Sequence, residues 1–332
     1  MERGSLKILL KFCFYGKVLK KIKFMFYMET RQIIYRKFPD ILTTYECLVS
    51  LAVHDAPEFL QAQLENINKY VSNCVIVIHV NSHTMELDEN TLPENVWINP
   101  KWFKVQREFG GLDLLRGLVT NISHAYNICK FDRVLFLSSS CMFFRKISWD
   151  CIPKTAVCIT PILPPDVKHH PNTIEELLGS QGWWWPRVAS DANLVTWLRK
   201  NCGTVQNGQL SGTLLPEACI HLLFDLVSFN DDMPRNYSYD EIYAQTVGSY
   251  YAKLNNLPIY PALIQLHWYY VDGEKSYLCL TDFPFNTAKD DSSVYGLCKI
   301  CHDIDGFAMK KLKELQNYFT YKDFDKFIEK WE

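Results

Sequence analysis

The sequence predicts an α/β fold in which a mostly parallel sheet is flanked by helices. Nearly continuous apolar runs indicate strands that are buried on both faces. Between these runs lie segments in which apolar residues recur at helical spacing. Their order along the first half of the chain, β-α-β-β-α-β, is typical of a parallel sheet covered by helices.

Each element of the first half follows from one of these segments. Residues 46–53 predict a buried strand, and Pro57 then suits the first turn of a helix that continues to Tyr70 or Val71. The elements that follow are strands at residues 74–80 and 96–98, a helix at residues 112–129 and a strand at residues 133–137.

The second half of the chain is less regular. It opens with a proline-rich loop, and helices are predicted near residues 189–200 and from Pro216. We expect a basic amphipathic segment at residues 1–40, followed by a single domain. Its sheet-based half comprises residues 41–150 and its irregular half comprises residues 151–332.

The composition, with 48% apolar and 22% charged residues, is ordinary for a globular protein, and a net charge of −2 gives no reason to expect a nucleic-acid partner. Twelve cysteines, several of them within apolar runs, fit a reducing compartment in which most thiols are free. Cys298 and Cys301 have the spacing of a zinc knuckle, but no second pair completes it.

Residues 1–37 are strongly basic. They carry ten lysines or arginines against two glutamates, a net charge of +8, and lysines interrupt their apolar residues every few positions. No run of about 20 apolar residues, the length of a membrane-spanning helix, occurs in the sequence. We therefore expect a cytoplasmic protein, or one that lies peripherally on an anionic cytoplasmic membrane face through this segment. The alternative is a solvated helix packed on the domain.

Ligands of parallel sheets bind beyond the carboxyl ends of the strands. The polar residues predicted at those ends are His54, Asp55, Asn81, Ser138, Ser139 and Ser140. Neither GxGxxG nor GxxxxGK[ST] occurs in this half, which disfavours a dinucleotide-binding fold and a P-loop enzyme.

An acidic pair, Asp240 and Glu241, falls in the first turn of a predicted helix that Asn236 or Ser238 is placed to cap. Taken alone, such acids are ordinary, because a carboxylate there stabilises the helix dipole by about 0.3–1 kcal/mol.

The surrounding residues, 238–246 (SYDEIYAQT), resemble the SPDE-x-x-x-x-T segment of the core-2/I-branching β-1,6-N-acetylglucosaminyltransferase family, which includes the peptide O-xylosyltransferases. About thirty residues upstream that family has a Ser-Gly before a helix that opens with Ser-Arg-Glu. Here Ser211 and Gly212 precede Pro216 and Glu217 at similar spacing.

Further segments extend the resemblance to about residues 45–305. His54 resembles a His-rich loop after the family's first strand, and residues 78–81 (IHVN) resemble a strand end that reads I-H-[IV]-D, apart from Asn81. Residues 134–142 resemble the family's later sheet strand. Residues 294–299 resemble a segment whose basic residue holds donor phosphates.

The resemblance implies a GT-A-like fold and an inverting, metal-independent transfer without a cofactor. The sugar, N-acetylglucosamine or xylose, would pass from a UDP-sugar to a hydroxyl of a glycan or glycoprotein. Glu241 maps onto the family's general base, which takes the proton of the acceptor hydroxyl as it attacks. Glu217 is the second candidate base, and either Glu217 or Asp240 is a candidate to hold acceptor hydroxyls.

The nucleotide diphosphate leaving group gains negative charge and must be stabilised. Where many transferases of this fold carry a metal-binding DxD motif, residues 138–141 read Ser-Ser-Ser-Cys and supply no carboxylate. The family uses basic side chains instead, which makes Lys299, followed by His302, the candidate phosphate ligand. The ordinary alternative for a lone lysine is a solvated surface position.

Several weaker candidates complete the predicted site. Glu108 lies in a glycine-containing segment (REFGGLD) that is either a donor loop or a turn into a helix. Trp183, Trp184 and Trp185 are either a sugar-stacking wall or core residues. Ser211 and Gly212 are expected on the acceptor side. The sequons at Asn121 and Asn236 are discounted, because no secretory signal is seen.

Two other functions compete with glycosyl transfer. One is a glycosidase that uses Glu217 and Glu241 as paired carboxylates. The other is a catalytically inactive carbohydrate-binding or membrane-docked scaffold protein, since a fold by itself does not define a function.

Overall fold

A computed structural model describes residues 33–40, 42–53, 57–81, 87–101, 103, 111–138, 141–143, 146–147, 149–159, 169–181, 185–227, 237–260 and 262–263, together with the backbone of residues 267–271, 274–278 and 297–299. The strands are β1 (Ile33–Ile34), β2 (Thr43–Val53), β3 (Cys74–Val80), β4 (Leu87–Asp88), β5 (Val96–Ile98), β6 (Cys129–Ser138), β7 (Cys141–Phe143), β8 (Val157–Cys158), β9 (Leu214–Pro216), β10 (Ile259–Tyr260), β11 (His267–Val271), β12 (Glu274–Leu278) and β13 (Leu297–Lys299). The helices are α1 (Pro57–Tyr70), α2 (Gly111–Ala125), α3 (Ile174–Gly179), α4 (Trp185–Ala189), α5 (Ala192–Asn201), α6 (Ile220–Leu226) and α7 (Tyr239–Leu254).

Within these described residues, seven strands form a central sheet in the order β10-β8-β9-β6-β2-β3-β5. β2 pairs in parallel with β3 and β6, β3 with β5, and β8 with β10. β9 runs antiparallel to both of its neighbours, β6 and β8. The predicted α/β class with a mostly parallel sheet is therefore confirmed.

Alternate strand residues pack on opposite faces of the sheet, as pleated geometry requires. In β2, Val49 and Leu51 join the core that includes α1 and β7, whereas Leu48 and Ala52 face α2 and the helices of the second half. All four are buried, which explains why the strand reads as a continuous apolar run.

The predicted strands at residues 74–80 and 96–98 match β3 and β5 in both bounds. The helix predicted to end at Cys129 instead ends at Ala125. The amide groups of Asn127 and Ile128 bond to carbonyls three residues earlier, which tightens the chain into a turn. Cys129 instead begins β6, where it pairs with Thr43. A residue that was predicted to end the helix therefore belongs to the sheet.

Pro216 does not begin a helix, contrary to the prediction, but ends β9 opposite Arg133. A single 3-10 turn at Glu217–Cys219 leads from the strand into α6. Leu214 and Leu215 point to the two cores on opposite faces of the sheet. Burial of these two leucines stabilises β9, a strand of three residues that is too short to show an alternating apolar pattern in the sequence.

A buried polar network joins α2 to the sheet. The side-chain amide of Asn121 donates to Ser50 Oγ at 3.2 Å, to the carbonyl of Leu51 at 3.2 Å and to that of Val77 at 2.9 Å. Because this side chain is fully buried, it offers no glycosylation site in the folded chain. The other sequon residue, Asn236, lies outside the described residues.

The seven cysteines whose side chains the structure describes are free thiols, and all except Cys202 are buried. Burial raises the pKa of the Cys74 thiol to about 12, so it stays protonated and packs as a small apolar group. None of the helices in the described ranges combines the length and apolar character needed to cross a bilayer.

Candidate functional site

The carboxyl end of β6 lies against the segment that leads into β9. Ser211 Oγ donates to Oγ of Ser138, the last residue of β6, at 3.1 Å. Ser138 Oγ also lies 3.3 Å from Cys141 Sγ. The backbone carbonyl of Ser138 accepts from Gln63 Nε2 of α1 at 2.9 Å. Two candidate residues that lie 73 positions apart are thus in direct contact at the edge where ligands of parallel sheets bind.

Gly212 provides the turn that makes this contact. Its φ of 82° lies in the left-handed region, where a side chain is strained and glycine is favoured. Its N–H donates to the carbonyl of Phe136 at 2.8 Å, and its own carbonyl accepts from Leu263 at 2.9 Å. The residue predicted on the acceptor side therefore shapes the backbone beside Ser211.

Asn81 lies at the same edge, one residue beyond β3. Its N–H donates to the carbonyl of Val53, the last residue of β2, at 2.8 Å. The two neighbouring strands thus end side by side. His54 and Asp55, which follow Val53 directly in the sequence, lie outside the described residues.

Lys299 approaches this edge through its backbone. It ends β13, which pairs antiparallel with β7, and it lies opposite Cys141. The backbone of Lys299 is therefore about one strand spacing from that of Cys141, whose thiol lies 3.3 Å from Ser138 Oγ. The remaining predicted donor and acceptor residues outside the described ranges are Glu108, Ser139, Ser140, Trp183, Trp184 and His302.

Glu241 lies in the first turn of α7, as predicted, and its side chain is partly exposed. Its carbonyl accepts from the N–H of Gly208 at 2.9 Å. One turn further along, Gln245 Nε2 donates to the carbonyl of Gln209 and to Thr213 Oγ1, both at 2.8 Å. The start of α7 is therefore hydrogen-bonded to residues 208–213, the segment that contains Ser211. From Gly208 to Ser211 the chain spans at most about 11 Å.

A buried carboxylate, that of Asp191, is hydrogen-bonded to residues at the start of α7. Asp191 Oδ2 accepts from the hydroxyls of Tyr237 at 2.5 Å and Tyr243 at 2.6 Å. Its Oδ1 accepts from the N–H groups of Asn193 at 3.0 Å and Leu194 at 3.2 Å, which caps α5. Asp191 thereby connects the N-terminus of α5 to the residues that flank Asp240 and Glu241.

The aromatic rings around Asp191 are also in contact with one another. Tyr237 and Tyr239 stack with centroids 3.8 Å apart, and Tyr239 meets Tyr243 edge-on at 5.5 Å. Burial raises the pKa of the Tyr237 and Tyr243 hydroxyls well above the ordinary value, and the nearby Asp191 carboxylate raises both further. Both hydroxyls therefore stay protonated and act as donors. Sequence reasoning missed this network; its only local signal was an aspartate before a helix.

His79 is another residue with an unforeseen role. Its Nε2 accepts from the N–H of Phe103 at 3.1 Å, which holds the segment after β5 against the sheet. A Cβ atom at Gly117 would lie 2.6 Å from His79 Nδ1, so the glycine in α2 makes room for the buried imidazole. His79 thus positions the chain that leads to the predicted donor loop.

Glu217 lies at the opposite edge of the sheet. It follows β9 beside the start of β6, and its Oε1 accepts from the Tyr126 hydroxyl at 2.9 Å. Burial raises the pKa of Tyr126, and the bond to Glu217 adds to the shift. Burial raises the pKa of Tyr251 in α7, and the charge of Glu217 adds a smaller shift.

Glu217 and Glu241 have different partners: the side chain of Glu217 bonds to Tyr126, whereas the backbone carbonyl of Glu241 bonds to Gly208. Glu217 as a second base, and as one carboxylate of a glycosidase pair, stays a prediction.

Trp185 lies within the core, with 1% of its surface exposed. Its ring meets His170 edge-on at a centroid distance of 6.2 Å. This burial contradicts a role for Trp185 as an exposed sugar-stacking surface and supports the core-packing alternative.

Among the side chains that the structure describes, no three His, Cys, Asp or Glu residues come together as a metal site. Cys298 is described only as backbone in β13, and Cys301 lies outside the described residues. Comparison with known proteins adds no assignment, because no protein-family model and no curated protein matches this chain.

Proposed function

We propose that this chain is an inverting glycosyltransferase of GT-A-like fold that moves a sugar from a UDP-sugar to a hydroxyl of a glycan or glycoprotein. The observation that carries the proposal is the attachment of the Glu241 turn to residues 208–213, whose Ser211 contacts the end of β6. An acidic side chain is thereby held near the sheet edge where ligands of parallel sheets bind.

Glu241 is the proposed general base. An acceptor hydroxyl attacks the anomeric carbon and loses its proton, and a carboxylate within about 2.6–3.2 Å of that hydroxyl takes it. The bond from the anomeric carbon to the diphosphate oxygen breaks as the new glycosidic bond forms, which inverts the configuration. The side chain of Glu241 is partly exposed, which supports contact with a bound acceptor. Asp240, in the same turn, is the proposed ligand for a further acceptor hydroxyl.

The diphosphate requires compensation for the negative charge that it gains. We assign this role to basic side chains, with Lys299 first and His302 second. Support for Lys299 comes from its backbone position opposite Cys141. The proposed donor carries N-acetylglucosamine or xylose, and the reaction needs no metal ion.

The test begins with nucleotide binding. A ligand at about 100 times its Kd stabilises the folded state by about 2.7 kcal/mol, so UDP should raise the thermal midpoint of the purified chain. A panel of sugar nucleotides with mixed glycan acceptors, read by mass spectrometry, should then show the gain of one sugar residue. EDTA should leave this activity intact.

The Glu241→Gln variant makes the test specific. It should lower kcat by about 10²–10⁴ and still shift with UDP, because general-base catalysis contributes on that scale. Full activity in this variant would remove Glu241 from the mechanism. Nucleotide binding without any transfer would favour an inactive binding protein, and the lack of a shift with every nucleotide diphosphate would defeat the proposal.

A further inference from the structure

A pocket of about 490 Å³ lies between α5 and α6. The α5 residues that line it have the i, i+3, i+4, i+7 spacing of a single helical face, and they are Asn193, Thr196, Trp197 and Lys200. The last turn of α6 and its C-cap residue, Val227, line the other side. The volume is within the range of small-molecule sites, and none of the residues predicted for catalysis or for donor and acceptor binding lines this pocket.

The floor of the pocket is apolar. It consists of Trp197, Leu226 and Val227, whose surfaces are only 5%, 2% and 4% exposed. The Trp197 ring meets the ring of Tyr250 edge-on at a centroid distance of 5.2 Å. The N–H of Val227 donates to the carbonyl of Leu223 at 2.9 Å. These contacts hold the floor in place before any ligand binds, so an apolar group of a ligand can be buried there without rearrangement of the protein.

Opposite charges line the two sides of the pocket. Lys200 comes from α5 and Asp225 from α6, and both residues are exposed. In the part of the chain that the structure describes, neither side chain forms an ion pair or a hydrogen bond, so Lys200 Nζ lies more than 4.0 Å from the Asp225 carboxylate. A cation and an anion that share a pocket without pairing can each bind a charged group of one ligand.

Asp225 lies where helix electrostatics disfavour an acid. It is in the last turn of α6, which contains no basic residue. The last carbonyls of a helix lack intrahelical partners and carry partial negative charge, to which the carboxylate adds. This side of the pocket therefore favours an ammonium group. The α5 side offers donors to a carboxylate, namely the ammonium of Lys200, the hydroxyl of Thr196 and the amide of Asn193.

We propose that this pocket binds a small zwitterion, an α-amino acid with an apolar side chain. Its ammonium group donates to Asp225 and faces the end of α6, its carboxylate accepts from Lys200, and its side chain packs on the apolar floor. A neutral ligand such as a sugar ring leaves both charges without a counter-charge and gains less from this pocket. The inference concerns binding alone and is independent of the proposed glycosyl transfer.

Isothermal titration calorimetry with the full chain tests the proposal, with leucine, methionine and phenylalanine as probes. At least one of them should bind saturably. Its N-acetyl derivative, which lacks the ammonium charge, and its amide, which lacks the carboxylate charge, should each bind at least about tenfold more weakly, because a hydrogen bond to a charged group contributes on that scale. Glycine should also bind more weakly, because it has no apolar side chain to bury.

Substitutions assign the two charges separately. Asp225→Asn should weaken binding of the amino acid about tenfold and leave the affinity for the N-acetyl derivative nearly unchanged, because that derivative has no ammonium group. Lys200→Gln should give the same pattern with the amide. Asp150→Asn and Lys130→Gln make the same chemical changes at exposed positions that do not line the pocket, and they should bind like the wild type. Circular dichroism should show all four variants folded.

Three results would overturn the proposal: equal affinity for the amino acid and its two derivatives, an equal loss in the variants outside the pocket, or no binding by any of the three probes. Saturable binding of N-acetylglucosamine or xylose that depends on Lys200 and Asp225, without amino-acid binding, would also overturn it and would assign the pocket to a saccharide.

Discussion

The hydroxyl of Tyr243 donates a 2.6 Å hydrogen bond to Oδ2 of Asp191, and this bond joins α7 to the N-terminus of α5. Tyr237 donates to the same oxygen, and two backbone N–H groups of α5 donate to the other. A carboxylate that is 3% exposed thus accepts from four donors. The network fixes the start of α7, where the proposed base lies.

We expect Asp191→Ala to destabilise the chain by at least about 3 kcal/mol, because each buried donor left without an acceptor costs about 1–3 kcal/mol. Tyr243→Phe keeps the ring and removes one bond to a charged group, so it should cost about 1.5–3 kcal/mol. Urea unfolding measures both, and a double-mutant cycle gives their coupling. Additive effects without coupling would contradict the network.

Gly212 should be intolerant of a side chain. At its φ of 82°, Gly212→Ala should cost about 1–2 kcal/mol, because the left-handed conformation crowds a Cβ atom. The change should also weaken nucleotide binding if the Ser211–Ser138 contact shapes the site.

Gly179→Ala is the matched control for Gly212→Ala. Gly179 ends α3, and a Cβ atom there would meet nothing within 4 Å. The substitution should therefore be neutral or stabilising by up to about 1 kcal/mol. Equal unfolding free energies for the two alanine variants would show that the Gly212 conformation carries no strain.

The two glutamates should behave differently in catalysis. Glu241→Gln should lower kcat by at least about 10². Glu217→Gln should keep most of the activity, because Glu217 bonds to Tyr126 at the other edge of the sheet. Comparable losses of kcat in both variants, with unchanged thermal midpoints, would favour the paired-carboxylate mechanism.

His124 should make stability depend on pH. Burial lowers its pKa from 6.5 to about 4 in the folded chain. As the pH falls through this window, the unfolded chain binds a proton that the folded chain excludes, so the free energy of unfolding decreases. The decrease attributable to His124 cannot exceed about 1.4 kcal/mol per pH unit, the value for one proton.

Urea midpoints measured across that window for the wild type and His124→Gln check this sign. The variant should lose part of the pH slope and be less affected by acid. A slope that is identical in the two proteins would show that His124 is protonated equally in the folded and unfolded chains.

The sequence by itself determined the elements whose signal is local. β3 and β5 were predicted in both bounds, because burial on both faces makes every residue of such a strand apolar. The position of Glu241 in a first helical turn is as the residues around it predict, but Ser238, which occupies the N-cap position, makes no side-chain capping bond. The family resemblance predicts Ser211 and Gly212 on the acceptor side, and the sequence gives no indication of the contacts that they make with Ser138 and Phe136.

Tertiary structure decided which residues share an edge of the sheet. β8, β9 and β10 have two or three residues each, too few to show a period, and remote pairing partners hold them in place. Asp191 reaches Tyr237 and Tyr243 across 46 and 52 positions. Periodicity reports burial over a few neighbouring residues, whereas the tertiary structure decides that Glu217 bonds to Tyr126 and that the carbonyl of Glu241 bonds to Gly208.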